Sequence, residues 1–446
     1  MPFAARSLPL RDRYTQPVLT PIARLYIVWI AVHFFSFAFP TTLINFYLEA
    51  LGFDRGWIGG FHAASQIGGL VLALPAIAVF HLIGRRRALA FGAVFASLIR
   101  LPTVLSPVPE VILAAEALSG FGTVMFGLAS VSLLADASRP DDRAVVFGLS
   151  DFTRTLAVLI GSIAAGSLPA LIAPLLQSEP QSAASYRAVL AASFVVRALV
   201  AIPLVLIARR RPSHQDATAG LPDVHPARYL NPRVLLGQRL RIYALSVPFM
   251  LLLLAEAMLF TFFNLLLRDW FGASDAAVGV IIGLNALIGA LAALLAPRLA
   301  EGLGYRRALI SSTLISAAAI AAFALSPNLL LGALAIFIQV AFAQITRVLY
   351  RVYAVNAVLR SEYFILGVVM SLAANIGPTV APPIGGWLQN TLGYVPLFAA
   401  AIGLSVLAAA AFALLDRRLS AGARLPVVPA PALLPARRPS PRTLDE

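Results

Sequence analysis

Long apolar stretches separated by short polar segments make up most of this chain. A helix that crosses a bilayer needs about 20 apolar residues. Twelve stretches of that order lie at 24–48, 58–83, 87–106, 109–135, 144–172, 186–208, 241–267, 277–300, 307–326, 329–352, 362–388 and 394–415. The longest polar connection, 209–240, is rich in Arg and Pro and falls between the sixth and seventh stretches. The pattern predicts an all-α integral membrane protein of twelve transmembrane helices in two six-helix bundles, 24–208 and 241–415. Residues 1–23 are then a tail. Residues 416–446 are a Pro-, Arg- and Ala-rich tail, expected to be disordered or to lie on the membrane surface.

The two bundles repeat one another. Laying 52–89 over 272–309, an offset of 220, gives 11 identities in 38 columns without a gap. Among them are the glycine pairs Gly52/Gly272, Gly59/Gly279, Gly69/Gly289 and Gly84/Gly304. The overlay ends on Gly-Arg-Arg-Arg-Ala-Leu at 84–89 and Gly-Tyr-Arg-Arg-Ala-Leu at 304–309. A duplicated apolar chain with arginines at matched helix ends points to a two-halved, pseudo-symmetric transporter.

Composition narrows the chemistry. The chain is 60% hydrophobic and 12% charged, against about 25% charged in soluble proteins. It has no cysteine, which excludes disulfides, thiolate metal sites and cysteine nucleophiles. All 34 basic residues are Arg, so a P-loop ATPase and a Schiff-base enzyme are excluded for want of a lysine. The net charge of +14 does not imply nucleic acid, because the arginines are sorted. With the N-terminus placed in the cytoplasm, 27 arginines fall on the cytoplasmic side, three outside and four within spans. Both termini are therefore expected in the cytoplasm, and no cleaved signal is expected at the N-terminus.

The Gly-Arg-Arg-Arg loop between the second and third helices, set in two repeated six-helix halves, resembles the major facilitator superfamily. Its loop signature is roughly Gly-x-x-x-Asp-Arg-x-Gly-Arg-Arg. Gly84, Arg85 and Arg86 match it in the first half, and Gly304 and Arg306 in the second. The acid of the signature is His81 in the first half and Glu301 in the second. The resemblance implies that Gly84, Arg85, Arg86, Glu301, Gly304 and Arg306 form loops that gate the cytoplasmic face. It also implies that helices one, four, seven and ten line a central cavity. Asp141-Asp142-Arg143 with Phe147-Gly148 resembles the family's turn between helices four and five. Gly377, Pro378, Pro382, Pro383, Gly385 and Gly386 on helix eleven allow either close helix packing or a gating bend. Proton-coupled drug antiporters of the family carry an arginine where this chain has Glu116. Their Gly-Pro-x-x-Gly-Gly run is here Gly161-Ser-Ile-Ala-Ala-Gly166.

A charge near the bilayer centre costs several kcal/mol, about 2.5–3.5 on insertion scales, and so marks a candidate site. By the implied map Glu116, Arg154, Glu256 and Arg347 are cavity candidates, whereas Arg100 and Arg197 are expected to be structural. Arg100 is a neighbour for Glu116 across a helical hairpin, and Asp151 shares a face with Arg154. Glu256 stands alone among leucines, with Arg347 or Arg154 as its partner from another helix; it is either the titrating carboxyl that proton coupling needs or a static ion pair or neutral hydrogen-bonded Glu. Asn45, Asn264 and Gln339 add polar groups on the cavity helices. His33 is the one histidine deep in a span and is expected to be hydrogen-bonded. No metal site or cofactor is expected.

The expectation is a non-enzymatic secondary transporter of a small solute, working by alternating access with a coupling ion, a proton in the first instance, as symport or antiport. It is a monomer in the lipid bilayer of a bacterial inner membrane. The alternatives are a multidrug or metabolite efflux antiporter of the same fold, and an intramembrane lipid-modifying enzyme or flippase.

Overall fold

Lipid offers no hydrogen-bond partner to a bare backbone, so each apolar stretch closes its own bonds as a helix. The structure, a computed structural model, describes residues 21–137, 142–201, 240–358 and 362–422. The expected linker and most of both tails lie outside the described residues, as does Asp141. Twelve spans follow in order. They are Pro21–Ala50; Arg55–Val71 with Ala73–Ile83; Arg85–Leu98 with Leu101–Leu105; Pro109–Ala137; Arg143–Ile172; Ala183–Val200; Leu240–Phe260 with Phe263–Phe271; Asp275–Ala293 with Ala296–Leu303; Tyr305–Ala324; Leu329–Asn356; Tyr363–Leu392; and Tyr394–Gly422. Eleven are apolar enough to cross a membrane as they stand, and the second completes the set as a pair bent by 54°.

Four spans read as continuous from the sequence are broken. Pro102 and Pro297 sit at the start of the continuing piece in spans three and eight, where a missing N–H costs nothing. Span seven breaks at Thr261–Phe262 without a proline. There the Leu265 amide donates to Asn264 Oδ1 at 2.9 Å, a side-chain acceptor in place of a helical carbonyl. Span eleven shows the opposite outcome. It remains one helix, Tyr363–Leu392, with three prolines inside.

The internal repeat is visible in the backbone. Asp54 and Ser274, 220 apart, cap spans two and eight by accepting from the amides of Trp57 (2.8 Å) and Ala277 (3.3 Å). Gly84 and Gly304 open spans three and nine at φ of 78° and 77°, a region closed to most L-residues.

The hydrophobic core shows how the halves meet. Residues 21 and 422 lie at one end of the bundle, here the near end. At the opposite, far end a single cluster draws on both halves, joining Leu43, Phe46, Ile58 and Tyr186 to Leu259, Phe262, Phe323 and Leu397. Toward the near end the core splits in two. One cluster (Trp29, Phe80, Leu89, Met125) belongs to the first half, the other (Phe249, Leu309, Tyr350, Phe412) to the second. The halves are therefore joined at the far end and packed separately below it.

Candidate functional site

Glycines make the far-end seam close. A Cβ on Gly59 would stand 2.3 Å from the Pro382 carbonyl oxygen, and one on its repeat partner Gly279 would stand 2.3 Å from that of Ser162. Span two thus meets span eleven as span eight meets span five, backbone on backbone. Of the glycines of span eleven, Gly386 serves this packing by facing the Arg55 carbonyl, whereas Gly377 packs on Leu253 of span seven within the second half.

Charged side chains tie the same end. Arg55 pairs with Glu49 at 3.1 Å and also with Asp269 of the other half. Glu49 in turn pairs with Arg268 across the seam. Tyr394 donates to Asp269 Oδ2 at 2.6 Å, and Asn390 Nδ2 donates to Asp54 Oδ1 at 3.0 Å. Nearby, Tyr186 of span six donates to Asp275 Oδ2 of span eight at 2.6 Å. From the sequence, Arg55 and Arg268 are only two of the three outer arginines. The available signal was the repeat, since the offset of 220 places Glu49 on Asp269.

Below this lock, Asn45 and Asn264 meet across the seam, with Asn45 Nδ2 donating to Asn264 Oδ1 at 2.8 Å. Asn45 Nδ2 also lies 2.6 Å from the Thr261 carbonyl oxygen, the one exposed by the break in span seven. Asn264 Nδ2 donates to the Thr42 carbonyl at 2.8 Å, and His62 Nε2 lies 2.7 Å from Asn45 Oδ1. These two asparagines join the halves to each other.

The charges inside the spans form three pairs. Arg100 holds Glu116 through two bonds, Nε to Oε2 at 2.9 Å and Nη2 to Oε1 at 2.8 Å. Asp151 and Arg154 pair at 3.3 Å on an exposed face, with the Arg154 guanidinium over the Phe34 ring. Arg347 Nη1 stands 3.0 Å from Glu256 Oε2, joining spans ten and seven within the second half. Arg154 takes no part in that contact. Arg197 is buried with its guanidinium over Phe37, and its Nε and Nη1 have no partner among the described residues. His33 stacks on Phe126 at 5.3 Å, and its Nδ1 also has no partner among them. A small cavity opens beside Glu256, lined among others by Thr313, Ser316, Gln339, Thr346 and Ser405.

At the near end, Arg306 Nε pairs with Asp416 Oδ2 of span twelve at 3.3 Å, and Tyr353 donates to the same carboxylate at 3.0 Å. This contact stays within the second half. Glu301 is exposed. Arg85 and Arg86 begin span three, and their side chains lie outside the described part of the structure.

Solved structures with this arrangement share little sequence with the chain. A bacterial homologue of the human lysosomal transporter Spinster, inward-facing and unoccupied, superposes with a TM-score of 0.71 at 16% identity, covering 92% of this chain and 100% of that one. A bacterial homologue of the iron transporter ferroportin, inward-facing, gives 0.70 at 15% over 89% and 98%. The nucleoside transporter NupG gives 0.67 at 14% over 89% and 100%. No curated protein matches the sequence. The model of the Major Facilitator Superfamily matches twice, over residues 25–268 and 245–440. Two matched halves, twelve spans and a seam closed at one end by repeated glycines place the chain in the major facilitator superfamily, as an integral membrane transporter.

Proposed function

We propose that the protein moves a small solute by alternating access, driven by an ion that acts at Glu256, with a proton as the expected ion. The observation that carries this reading is the Glu256–Arg347 contact, an ion pair at 3.0 Å between two spans of the second half. A proton on Glu256 removes the charge that holds Arg347 and frees the guanidinium. The relatives of this fold are a lysosomal transporter homologue, an iron transporter homologue and a nucleoside transporter. The fold therefore does not name the solute, and the site must.

The arginine split supports an orientation with both termini in the cytoplasm, and the reading places the protein in a bacterial inner membrane. The locked far end then faces outside. In that orientation, a single core there above two separate cores supports an inward-facing state. Opening the far end requires breaking the Arg55–Asp269 and Glu49–Arg268 pairs, while the near-end arginine loops close the other face. The protein acts as a monomer, each half serving as one rocking body.

Proteoliposomes with an internal pH-sensitive dye test the reading. A panel of nucleosides, sugars, amino acids, organic cations and organic anions is added in turn. Wild type should couple entry of one class to proton movement. Glu256→Gln keeps shape and hydrogen bonding, so it should retain solute exchange and lose the linked proton movement. Unchanged proton movement in this variant would move coupling to another group, with Glu116 next in line.

A further inference from the structure

The cavity beside Glu256 is lined by second-half residues alone, from spans seven, nine, ten and twelve. Its volume is about 10 Å³, room for one occupant the size of a water molecule. Its polar wall is rich in oxygen acceptors. Thr313 spends its hydroxyl proton on the Leu309 carbonyl at 2.8 Å, and Ser405 spends its own on Ala401 at 2.9 Å. Thr346 donates at 2.9 Å to Phe342 O or to Ser312 Oγ. Gln339 Nε2 donates to Ser316 Oγ at 3.3 Å. Gln339 is 1% exposed, and its Oε1 has no partner among the described residues.

Among the side chains that line the cavity, Gln339 Oε1 is left without a partner, with the Glu256 carboxyl in the same wall. A buried carbonyl without a donor calls for an occupant. A water would serve that carbonyl but would leave the Glu256 charge to Arg347 alone. A bare cation would serve both at once, and an oxygen-rich wall favours a hard one. One carboxylate balances one charge. Among the described residues no three His, Cys, Asp or Glu gather to hold a metal ion, which argues against a divalent ion.

We propose that this cavity is a site for a hard monovalent cation of the size of sodium, competing with Arg347 and with the proton for the Glu256 carboxylate. The inference deepens the coupling role proposed for Glu256 and rests on it for its effect on transport. Arg347 is suited to yield. Its Nη1 stands 3.0 Å from Glu256 Oε2, its Nε has no partner among the described residues, and its side chain is 32% exposed. A cation in the cavity takes over the single negative charge. The released guanidinium then turns to an anionic or hydroxyl-bearing solute.

The test uses the purified full chain in detergent, its thermal midpoint compared in sodium chloride and choline chloride at equal ionic strength. Sodium should raise the wild-type midpoint by mass action. The shift should shrink at acidic pH as protons occupy Glu256. Glu256→Gln should abolish it, and Gln339→Leu and Thr313→Val should weaken it. Arg347→Met removes the competitor, so it should respond at several-fold lower sodium, which a merely structural residue would not produce. Direct binding of radioactive sodium reads the same ranking where a variant melts too low. Equal midpoints in sodium and choline for both wild type and Arg347→Met would overturn the site. So would a sodium shift that survives Glu256→Gln and Gln339→Leu together. If sodium does not bind while Glu256→Gln still uncouples proton movement, the cation site fails and the transport reading stands. If sodium binds while that variant remains coupled, the site stands and the coupling role of Glu256 fails.

Discussion

Each half carries a carboxylate–arginine pair deep within its spans that joins two of its helices, Arg100–Glu116 in the first and Arg347–Glu256 in the second, and the two pairs are wired differently. In the first half Arg100 grips Glu116 with two bonds, and their side chains are 14% and 8% exposed. In the second half Arg347 and Glu256 form an ion pair at 3.0 Å, at 32% and 17% exposure. No water reaches the first pair easily, so its charges are committed to each other. The second pair has a polar cavity on one side and a partly open guanidinium on the other. The same two residue types thus make a strut in one bundle and a releasable contact in the other. What separates them is their exposure and the neighbouring space.

The largest expected effect breaks this contrast directly. Arg100→Met leaves Glu116 charged and unpaired in the bundle, which costs about 3–5 kcal/mol. Arg347→Met should cost clearly less, because Glu256 keeps polar neighbours in the cavity. Thermal unfolding of both variants in detergent measures the difference. Equal losses would make the second pair a strut as well. Adding Glu116→Leu to Arg100→Met should recover most of the stability, since an apolar pair replaces a buried ion.

A smaller effect tests where the halves are alike. Gly59→Ala and Gly279→Ala each push a Cβ to 2.3 Å from a carbonyl oxygen across the seam. Overpacking of that kind costs about 1–3 kcal/mol, and here it acts against the closed far end only. The chain has no cysteine, so Thr42→Cys, buried beside Asn264, is a clean reporter. Both glycine variants should raise its labelling by a membrane-impermeant maleimide, and to a similar degree. Labelling that stays at the wild-type level would show that these contacts do not hold the far end shut.

The smallest effect concerns the asparagine pair. Asn45→Ala should cost about 0.5–1.5 kcal/mol, the usual net worth of such bonds. Asn264→Ala should cost more, because it also deprives the Leu265 amide of its acceptor at the break in span seven. A denaturant or thermal series on the two single variants ranks them. The reverse order would mean that the break is held by packing alone.

Much of this arrangement was legible along the chain. Helix positions came from unbroken apolar length, and the described helices begin within three residues of the expected starts. The repeated glycines proved to mark shared geometry, positive φ at Gly84 and Gly304 and close approach at Gly59 and Gly279. Arg347 was among the partners open to Glu256, and Arg100 was the partner expected for Glu116. The far-end lock was not legible, because Glu49, Arg55, Arg268 and Asp269 sit at the ends of apolar runs, where an isolated charge normally faces water. Nor was the break at Thr261–Phe262, since neither residue is a helix breaker by itself.

By itself, then, the sequence determined the number of spans, their two-fold repeat and the side of the membrane expected for the termini. Each of these follows from local quantities: apolar length, arginine position and the spacing of glycines. The tertiary structure decided which end of the bundle is closed, which carboxylate is locked and which can be released, and where an oxygen-lined cavity stands. Those depend on side chains that lie far apart in sequence, such as Asn45 with Asn264 and Glu256 with Arg347, and on helix-to-helix distances that a few glycines permit but do not specify. A bilayer rewards any helix that is long and apolar, whereas a polar contact inside it forms only when its partner arrives at bonding distance.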